Sequence, residues 1–237
     1  MAFFPYSPYV PVAQRKLTAQ RELAKLAKRT GVQPSPVTIE GRKIAQTFWG
    51  QAWCDNLERY SDFASRLPRG RTYVRNGSVV DLRVEPGRIG AHVAGSELYQ
   101  IDIAIRALAP ARWKAVKKAC TGKIGSLVSL LRGELAGPVL EVLTRAGGLF
   151  PEPREIDMSC SCPDIAGLCK HLAATLYGVG ARLDTRPELF FVLRQVDQGE
   201  LISAATGSAL PAVKRGRGGK RIARSKLSSV FGIEIDE

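Results

Sequence analysis

The pattern of apolar and polar residues along the chain predicts a helix near the N-terminus and a second one after a proline-rich loop. Over 13–29 the apolar residues fall on one helical face, and most of the remaining positions are basic. A second helix is expected over 47–60, where Phe48 and Trp53 would point to a core. The basic segment 66–71 that follows is expected to be a loop.

Three segments in the middle of the chain alternate apolar and polar residues, as a β-strand with one buried face does. Their apolar positions are Val80, Leu82 and Val84, then Ile89, Ala91 and Val93, then Ile101, Ile103 and Ile105. Short turns at 86–87 and 95–96 separate them, which favours an antiparallel meander. Helices expected over 110–120, 124–132 and 137–146 would cover one face of this small sheet. The predicted fold class is therefore α+β.

Changes in composition divide the chain into four segments. Residues 1–36 are expected to form an N-terminal extension with the basic amphipathic helix, and 37–150 the α+β domain. Residues 151–206 hold a short strand, a cluster of cysteines and further helices. The remaining tail, 207–237, is rich in Gly, Ser, Lys and Arg and has a short apolar end at 230–233. Because the tail has few large apolar residues, it cannot bury a core and is predicted to be disordered.

Length and composition exclude several classes of protein. The 237 residues are 45% hydrophobic, which is enough for a core, and no apolar run is long enough to cross a membrane. The first ten residues contain two prolines and no basic residue, so they do not resemble a secretory signal. We therefore expect a cytoplasmic protein, with association with the nucleoid left open.

Positive charge is concentrated near the two ends of the chain. The formal net charge is +13, from 35 Lys and Arg against 22 Asp and Glu. Residues 15–29 hold six basic residues and one acid, and residues 214–226 hold seven basic residues and no acid. These segments carry +5 and +7, so the rest of the chain is nearly neutral. The expected partner is a polyanion, with nucleic acid ahead of an anionic membrane.

The strongest chemical signal is a cluster of three cysteines and one histidine. Cys160 and Cys162 follow the predicted strand, and Cys169 and His171 open the next predicted helix. Together they can supply a closed tetrahedral shell, and thiolates with imidazole favour zinc over magnesium or calcium. A disulfide, an iron–sulfur cluster or unrelated buried cysteines explain the cluster less well, because three cysteines cannot pair evenly and the histidine would have no role. One structural zinc ion is the predicted cofactor.

One group of candidate nucleic-acid contacts follows the second predicted helix. Its members are Arg66, Arg69, Arg71 and Arg75. No acid occurs between Asp62 and Asp81, and Tyr73 lies among the arginines, where it could stack on a base. The alternative is a solvated loop whose arginines pair with acids elsewhere in the chain.

A second group of candidate contacts lies in the tail. Its members are Lys214, Arg215, Arg217, Lys220 and Arg221. The spacing does not fit a phosphate-binding loop, because a lysine stands where the first glycine is required and no strand precedes it. Contact with phosphates, insertion of Arg-Gly-Arg into a minor groove and a merely solubilising tail stay open.

The cysteine and histidine spacing resembles the SWIM-type zinc finger, whose pattern is Cys-x-Cys, a spacer and then Cys-x-His. The wider sequence is similar to one bacterial family of SWIM proteins over about residues 40–205. The matching stretches are TFWG at 47–50, LPRGR at 67–71, YVRNG at 73–77, GLFP at 148–151 and YGVGARLD at 177–184. The resemblance implies the ligands Cys160, Cys162, Cys169 and His171 in a strand–strand–helix module. It also implies a helicase-associated protein, a companion of Snf-family helicase-like ATPases that binds DNA or protein.

Two residues beside the implied ligands have open roles. Asp164 could accept hydrogen bonds from backbone amides, orient His171 through its free ring nitrogen, or cap a turn. Lys170 could contact phosphate, or it could remain solvated and offset the charge of the thiolates.

No nucleophile–base pair, open metal site or nucleotide-binding loop is visible in the sequence, so no enzymatic activity is expected. The prediction is a non-enzymatic zinc-binding accessory protein that binds nucleic acid, with DNA the first candidate. It would work with a Snf-type ATPase in genome maintenance or transcription. The alternative is a protein–protein adaptor whose zinc module is purely structural and makes no direct contact with nucleic acid. Neither a membrane nor a small-molecule substrate is expected as a partner.

Overall fold

A four-stranded antiparallel sheet lies at the centre of the fold. The computed structural model describes residues 10–59, 65–123, 127–134, 137–145, 147–164 and 166–206. The strands are β1 (Val79–Glu85), β2 (Arg88–Ala94), β3 (Leu98–Ile105) and β4 (Ile156–Cys160), and they lie side by side in that order. The first three form the predicted meander, and β4 is the short strand expected before Cys160. The α+β class and the small antiparallel sheet covered by helices are therefore confirmed.

Helices precede the sheet, follow it and occupy the C-terminal part of the described chain. They are α1 (Val12–Thr30), α2 (Phe48–Glu58), α3 (Leu67–Arg75), α4 (Pro110–Cys120), α5 (Leu127–Arg132), α6 (Gly137–Thr144), α7 (Lys170–Thr185), α8 (Leu189–Arg194) and α9 (Gln198–Thr206). Most lie within a few residues of the predicted positions. None of the helices in the described ranges is both long and apolar enough to cross a membrane.

The two faces of the sheet have different cover. On one face Ile89, Ile101 and Ile103 are at most 1% exposed and belong to the main core, which α7 and α8 complete. On the other face α1 packs across β1 and β2, where Leu23 of α1 and Val80 of β1 belong to a second, smaller apolar cluster. The basic helix is thus attached to the folded domain through its apolar stripe, which leaves its polar side in solvent.

The helix α7 is the scaffold on which His171 and the preceding helices are assembled. All ten residues from 171 to 180 are buried, and both α2 and α3 pack against this helix. Asp184 near its end accepts hydrogen bonds from the Thr47 amide at 3.0 Å and the Thr47 hydroxyl at 2.7 Å, which fixes the start of α2.

The expected loop at 66–71 is wrong, because α3 begins at Leu67. Pro68 lies in the first turn of this helix, where a residue without an N–H is tolerated. Gly70 faces α7 so closely that a Cβ atom there would lie 2.5 Å from the Cβ of Ala173. Proline and glycine suggest a loop in the sequence, but here Pro68 lies at the start of a helix and Gly70 lies at a close helix–helix contact.

A buried ionic network joins α4, α8 and the start of β4. Arg194 is completely buried, and its Nη2 lies 3.3 Å from Oε2 of Glu155. Arg112 approaches the other carboxylate oxygen of Glu155 at 2.8 Å. Burial alone would raise the pKa of Glu155, but a backbone hydrogen bond and the two arginines outweigh it and hold this pKa below its ordinary value. The network joins β4 to helices that lie before and after it in the chain.

Candidate metal centre

The end of β4 positions the first two cysteines. Cys160 is the last residue of the strand and lies opposite Ile101 of β3. The Ser161 amide donates to the Gln100 carbonyl at 3.0 Å, and the Ser161 hydroxyl accepts from the Gln100 amide at 3.0 Å. Because both bonds tie the turn to β3, the thiols of Cys160 and Cys162 are held at one end of the sheet.

The start of α7 positions the other two ligands. Cys169 is the N-cap residue, and its Sγ accepts a hydrogen bond from the Leu172 amide at 3.5 Å. His171 lies in the first turn and is 3% exposed, and Cys169 is 1% exposed. The partial positive charge at a helix N-terminus stabilises a thiolate, so this position suits a metal-binding cysteine.

The four donor atoms converge on one point. They all lie within 4.8 Å of one another, and Nδ1 of His171 is 3.9 Å from Sγ of both Cys160 and Cys169. Bonds of about 2.3 Å from zinc to sulfur and about 2.0–2.1 Å to nitrogen give donor–donor distances of roughly 3.5–3.8 Å in a tetrahedron. The two Nδ1–Sγ distances are only slightly longer, and no pair of donor atoms is more than 4.8 Å apart, so Cys160, Cys162, Cys169 and His171 could hold a metal ion.

Hydrogen bonding within the cluster shifts the pKa values of two thiols in opposite directions. A hydrogen bond from Cys160 lowers the pKa of Cys169, against the effect of burial, and His171 and the Leu172 amide lower it further. The same pairing raises the pKa of Cys160, and burial raises it further. The lowered pKa of Cys169 agrees with its position at the N-terminus of α7.

Two aromatic rings and a glycine fix the orientation of His171. Tyr99 stacks on the imidazole with ring centroids 4.2 Å apart, and Tyr73 approaches it edge-on at 5.4 Å. A Cβ atom at Gly95 would lie 2.6 Å from the Tyr99 ring and 3.1 Å from Nε2 of His171. Nε2 is buried without a hydrogen-bond partner among the described residues. Packing, and not a neighbouring carboxylate, thus directs Nδ1 to the cluster.

Asp164 links the cysteine loop to α3. Its Oδ1 accepts from the Ala166 amide at 3.2 Å, and its Oδ2 lies 3.2 Å from Nη1 of Arg66. Asp164 therefore stabilises the turn by accepting a backbone hydrogen bond, one of the roles considered from the sequence, and it also forms an ion pair. The pair joins the loop between Cys162 and Cys169 to the residue that precedes α3.

The structure separates the four arginines of the first candidate group. Arg66 pairs with Asp164, and Arg71 lies 2.6 Å from Glu58 and donates to the Tyr177 hydroxyl at 2.9 Å. Arg69 and Arg75 are exposed, and neither forms an ion pair with any residue that the structure describes. Two of the four guanidinium groups therefore have acidic partners within the chain, and two face solvent. The second group, Lys214 to Arg221, lies outside the described residues.

Arg15 of α1, which the sequence did not single out, and Lys170 both approach Tyr73. The Tyr73 hydroxyl accepts a long hydrogen bond, 3.5 Å, from Arg15 of α1, and the Lys170 ammonium lies 5.7 Å from the centre of its ring. Tyr73 is half-buried and packs against His171, so its ring joins α1, α3 and the metal cluster. We call the exposed or half-buried cations Arg15, Lys16, Arg69, Arg75 and Lys170 the α1–α3 surface. The helical period marks α1 and its cations, but no local sequence signal places them beside the cysteines.

Comparison with known proteins identifies a relative. The chain is 36% identical over 177 residues to a protein of Mycobacterium tuberculosis (strain ATCC 25618 / H37Rv) named uncharacterized protein Rv2102. The match covers 71% of this chain and 64% of that protein, so the chain spans slightly less than two thirds of this relative. No protein-family model matches the chain, and no solved structure does. The name of the relative specifies no activity.

Proposed function

We propose that this chain is a non-enzymatic accessory protein that holds one structural zinc ion and binds nucleic acid, with DNA the first candidate. The observation that carries the proposal is the position of the Cys3His cluster directly beside the α1–α3 surface. His171 contacts Tyr73, whose hydroxyl accepts from Arg15 and whose ring lies near the Lys170 ammonium. A metal ion in the cluster would therefore stabilise the surface that meets the polyanion.

The donor set supports zinc as the ion and structure as its purpose. Three thiolates and one imidazole suit zinc and do not suit the hard cations magnesium and calcium. Four protein donors complete a tetrahedral shell, as in structural zinc sites. The ion would join the end of β4 to the start of α7.

The pairing of charges across the fold supports a polyanion as the partner. Away from α1, several cations have acidic neighbours: Arg88 with Asp102, Lys117 with Glu200, and Arg186 with Glu188. On α1, five cations have no ion-pair partner among the residues described. They are Lys16, Arg21, Lys25, Lys28 and Arg29. Because no acid among the described residues neutralises these charges, they are available to phosphates.

We further propose a Snf-family helicase-like ATPase as the protein partner, in genome maintenance or transcription. This part of the proposal rests on the resemblance of the cysteine and histidine spacing to SWIM-type zinc fingers. The test is affinity purification of the tagged full chain from its native host, followed by identification of the bound proteins. Enrichment of such an ATPase supports the assignment, and repeated purification without one contradicts it.

The nucleic-acid part is tested by fluorescence anisotropy with labelled DNA and RNA at about 50 mM salt, a concentration at which phosphate contacts remain strong. Lys25→Glu/Lys28→Glu reverses two exposed charges on α1. Lys114→Glu/Lys118→Glu makes the same change in net charge on α4, which packs against α6 and α9. We expect the α1 variant to lose at least about tenfold in affinity and the α4 variant much less. An absence of binding by the unmodified chain would contradict the proposal and favour the adaptor alternative.

A further inference from the structure

We propose that the cleft between α1 and the extended segment 33–39 binds a nucleotide unit of a single-stranded nucleic acid. The inference rests on the proposed function and narrows it from nucleic acid in general to a single strand. The cleft has a volume of about 530 Å³, within the usual range of about 300–1,000 Å³ for sites that enclose a small ligand. We call it the α1 cleft.

Both walls of the α1 cleft are held in place by the fold. One wall is α1, which Leu23 attaches to the sheet. The other wall is an extended segment bonded to β1: the Val37 amide donates to the Val79 carbonyl at 3.0 Å, and the Leu82 amide donates to the Ser35 carbonyl at 2.9 Å. The cleft is therefore formed by bonded backbone in the free chain, and a ligand would find it largely preorganised.

Among the residues that the structure describes, those lining the α1 cleft provide cations and amides but no carboxylate. Lys16 and Arg75 are its two charged residues, and neither has an ion-pair partner within the described part of the chain. The Lys16 ammonium lies close to Gly77: a Cβ atom built on this glycine would be 2.9 Å from Nζ of Lys16. Two unneutralised cations at one cleft suit a phosphodiester group.

The remaining lining suits a nucleobase. Gln20, Gln33 and Asn76 each offer an amide that donates and accepts hydrogen bonds, the combination that the edges of bases require. Pro36, which is exposed, and Ile39, which is half-buried, add an apolar surface against which the face of a base or a sugar can pack. A phosphate, a base edge and a base face can thus be satisfied within one cleft.

The dimensions of the α1 cleft favour a single strand over a duplex. A duplex keeps its bases stacked and paired, so that neither their faces nor their pairing edges can enter a cleft of this size. A single strand can turn a base outward into such a site. The α1–α3 surface continues to Arg15 and Lys170 beside Tyr73, which gives the rest of the strand further positive charge.

The test uses the zinc-loaded full chain and a labelled single-stranded oligonucleotide, with its duplex and the free mononucleotide as comparison probes. Lys16→Glu/Arg75→Glu removes the phosphate contacts, and Gln20→Ala/Asn76→Ala removes base contacts without a change of charge. Lys114→Glu/Lys118→Glu is the control with the same charge change elsewhere. Circular dichroism verifies that each variant is folded.

We expect tighter binding of the single strand than of the duplex, and weaker binding of the mononucleotide because it makes fewer phosphate contacts. The cleft charge variant should lose at least about tenfold in affinity for the single strand. The amide variant should lose about 3–10-fold with an unchanged salt dependence. Equal losses in the cleft and control charge variants, or an amide variant that binds as the unmodified chain does, would overturn the cleft and leave nucleic-acid binding intact. An unmodified chain that binds no oligonucleotide would overturn both.

Discussion

Replacement of Cys169 with serine tests the metal centre with little disturbance elsewhere. Cys169 is the N-cap residue of α7, and its Sγ accepts a hydrogen bond from the Leu172 amide. Serine is a good N-cap residue, so Cys169→Ser keeps an acceptor for that amide and removes a soft metal ligand. The expected loss is therefore the contribution of the metal and not that of the helix start.

The size of the effect follows from linkage between metal binding and folding. Four donor atoms within 4.8 Å of one another occur in the folded chain and not in an unfolded one, so the metal binds the native state preferentially. When free zinc exceeds its dissociation constant about 1,000-fold, the native state gains about 4 kcal/mol. For a chain of this size each kcal/mol shifts the midpoint by about 2–4 °C, so zinc should raise it by about 8–16 °C.

The assay is thermal unfolding followed by circular dichroism, with zinc and with a chelator, in reducing buffer. The unmodified chain should show the full zinc-dependent shift, and Cys169→Ser should show little or none. Cys120→Ser is the matched control, because Cys120 is a buried thiol at the end of α4 and is not part of the cluster. It should lower the midpoint but keep the zinc-dependent shift. An unmodified chain that is indifferent to zinc, or a Cys169→Ser chain that responds fully, would refute the reasoning.

Three further predictions address the surroundings of the site, the ionic network and the contact with phosphates. Gly95→Ala should weaken zinc binding by about 10–100-fold in a competition titration, because the added methyl group would displace Tyr99 from His171. Gly90→Ala is the control: there is open space around Gly90, so this variant should bind zinc normally. Glu155→Gln should lower the free energy of unfolding by about 3 kcal/mol near neutral pH, because Arg194 would remain buried without its carboxylate. Folding lowers the pKa of Glu155, so protonation at low pH removes the stabilisation that its charge provides. The difference in free energy of unfolding between the variant and the unmodified chain, measured by denaturant titration of the metal-free proteins, should therefore shrink as the pH falls below 4.5. A difference that does not change with pH would contradict the pairing. If about five to seven phosphates are contacted, a plot of log affinity against log salt should slope at roughly −4.5 to −6 for a duplex and roughly −3.5 to −5 for a single strand, whereas a slope near zero would exclude phosphate contact.

Local patterns were sufficient to predict most of the secondary structure. The alternation around Ile89 and Ile101 predicts strands because one face of each strand is buried, and the structure confirms the meander. The apolar stripe of α1 likewise predicts a helix attached along one side. Such predictions succeed where the period of the pattern and the environment of the element agree.

The prediction of a loop at 66–71 fails because tertiary packing, and not local sequence preference, decides the conformation there. Gly70 and Pro68 suggest a loop, but the close approach of α3 to α7 requires a glycine, and the first turn of a helix accepts a proline. The helix α3 packs against α7, whose residues lie about a hundred positions later in the chain. A prediction from local sequence does not include these residues.

The Cys3His cluster can be predicted from the sequence, but its surroundings cannot. The spacing of the cysteines and His171 is a local feature, and the structure brings all four side chains together. The contacts of Tyr99 and Tyr73 with His171 depend on how the sheet and α3 meet α7. Likewise, the pairing of Arg66 with Asp164 spans 98 positions, so only the fold shows that this arginine has an acidic partner.

We propose that a metal ion stabilises a surface that binds nucleic acid. This is tested by measuring metal content and oligonucleotide binding on the same sample, before chelation, after chelation and after zinc is returned. We expect one zinc ion per chain in reducing buffer, a loss of affinity of about tenfold or more on chelation, and recovery with zinc. A chain that binds nucleic acid equally well without metal, or that contains no stoichiometric zinc, would contradict it.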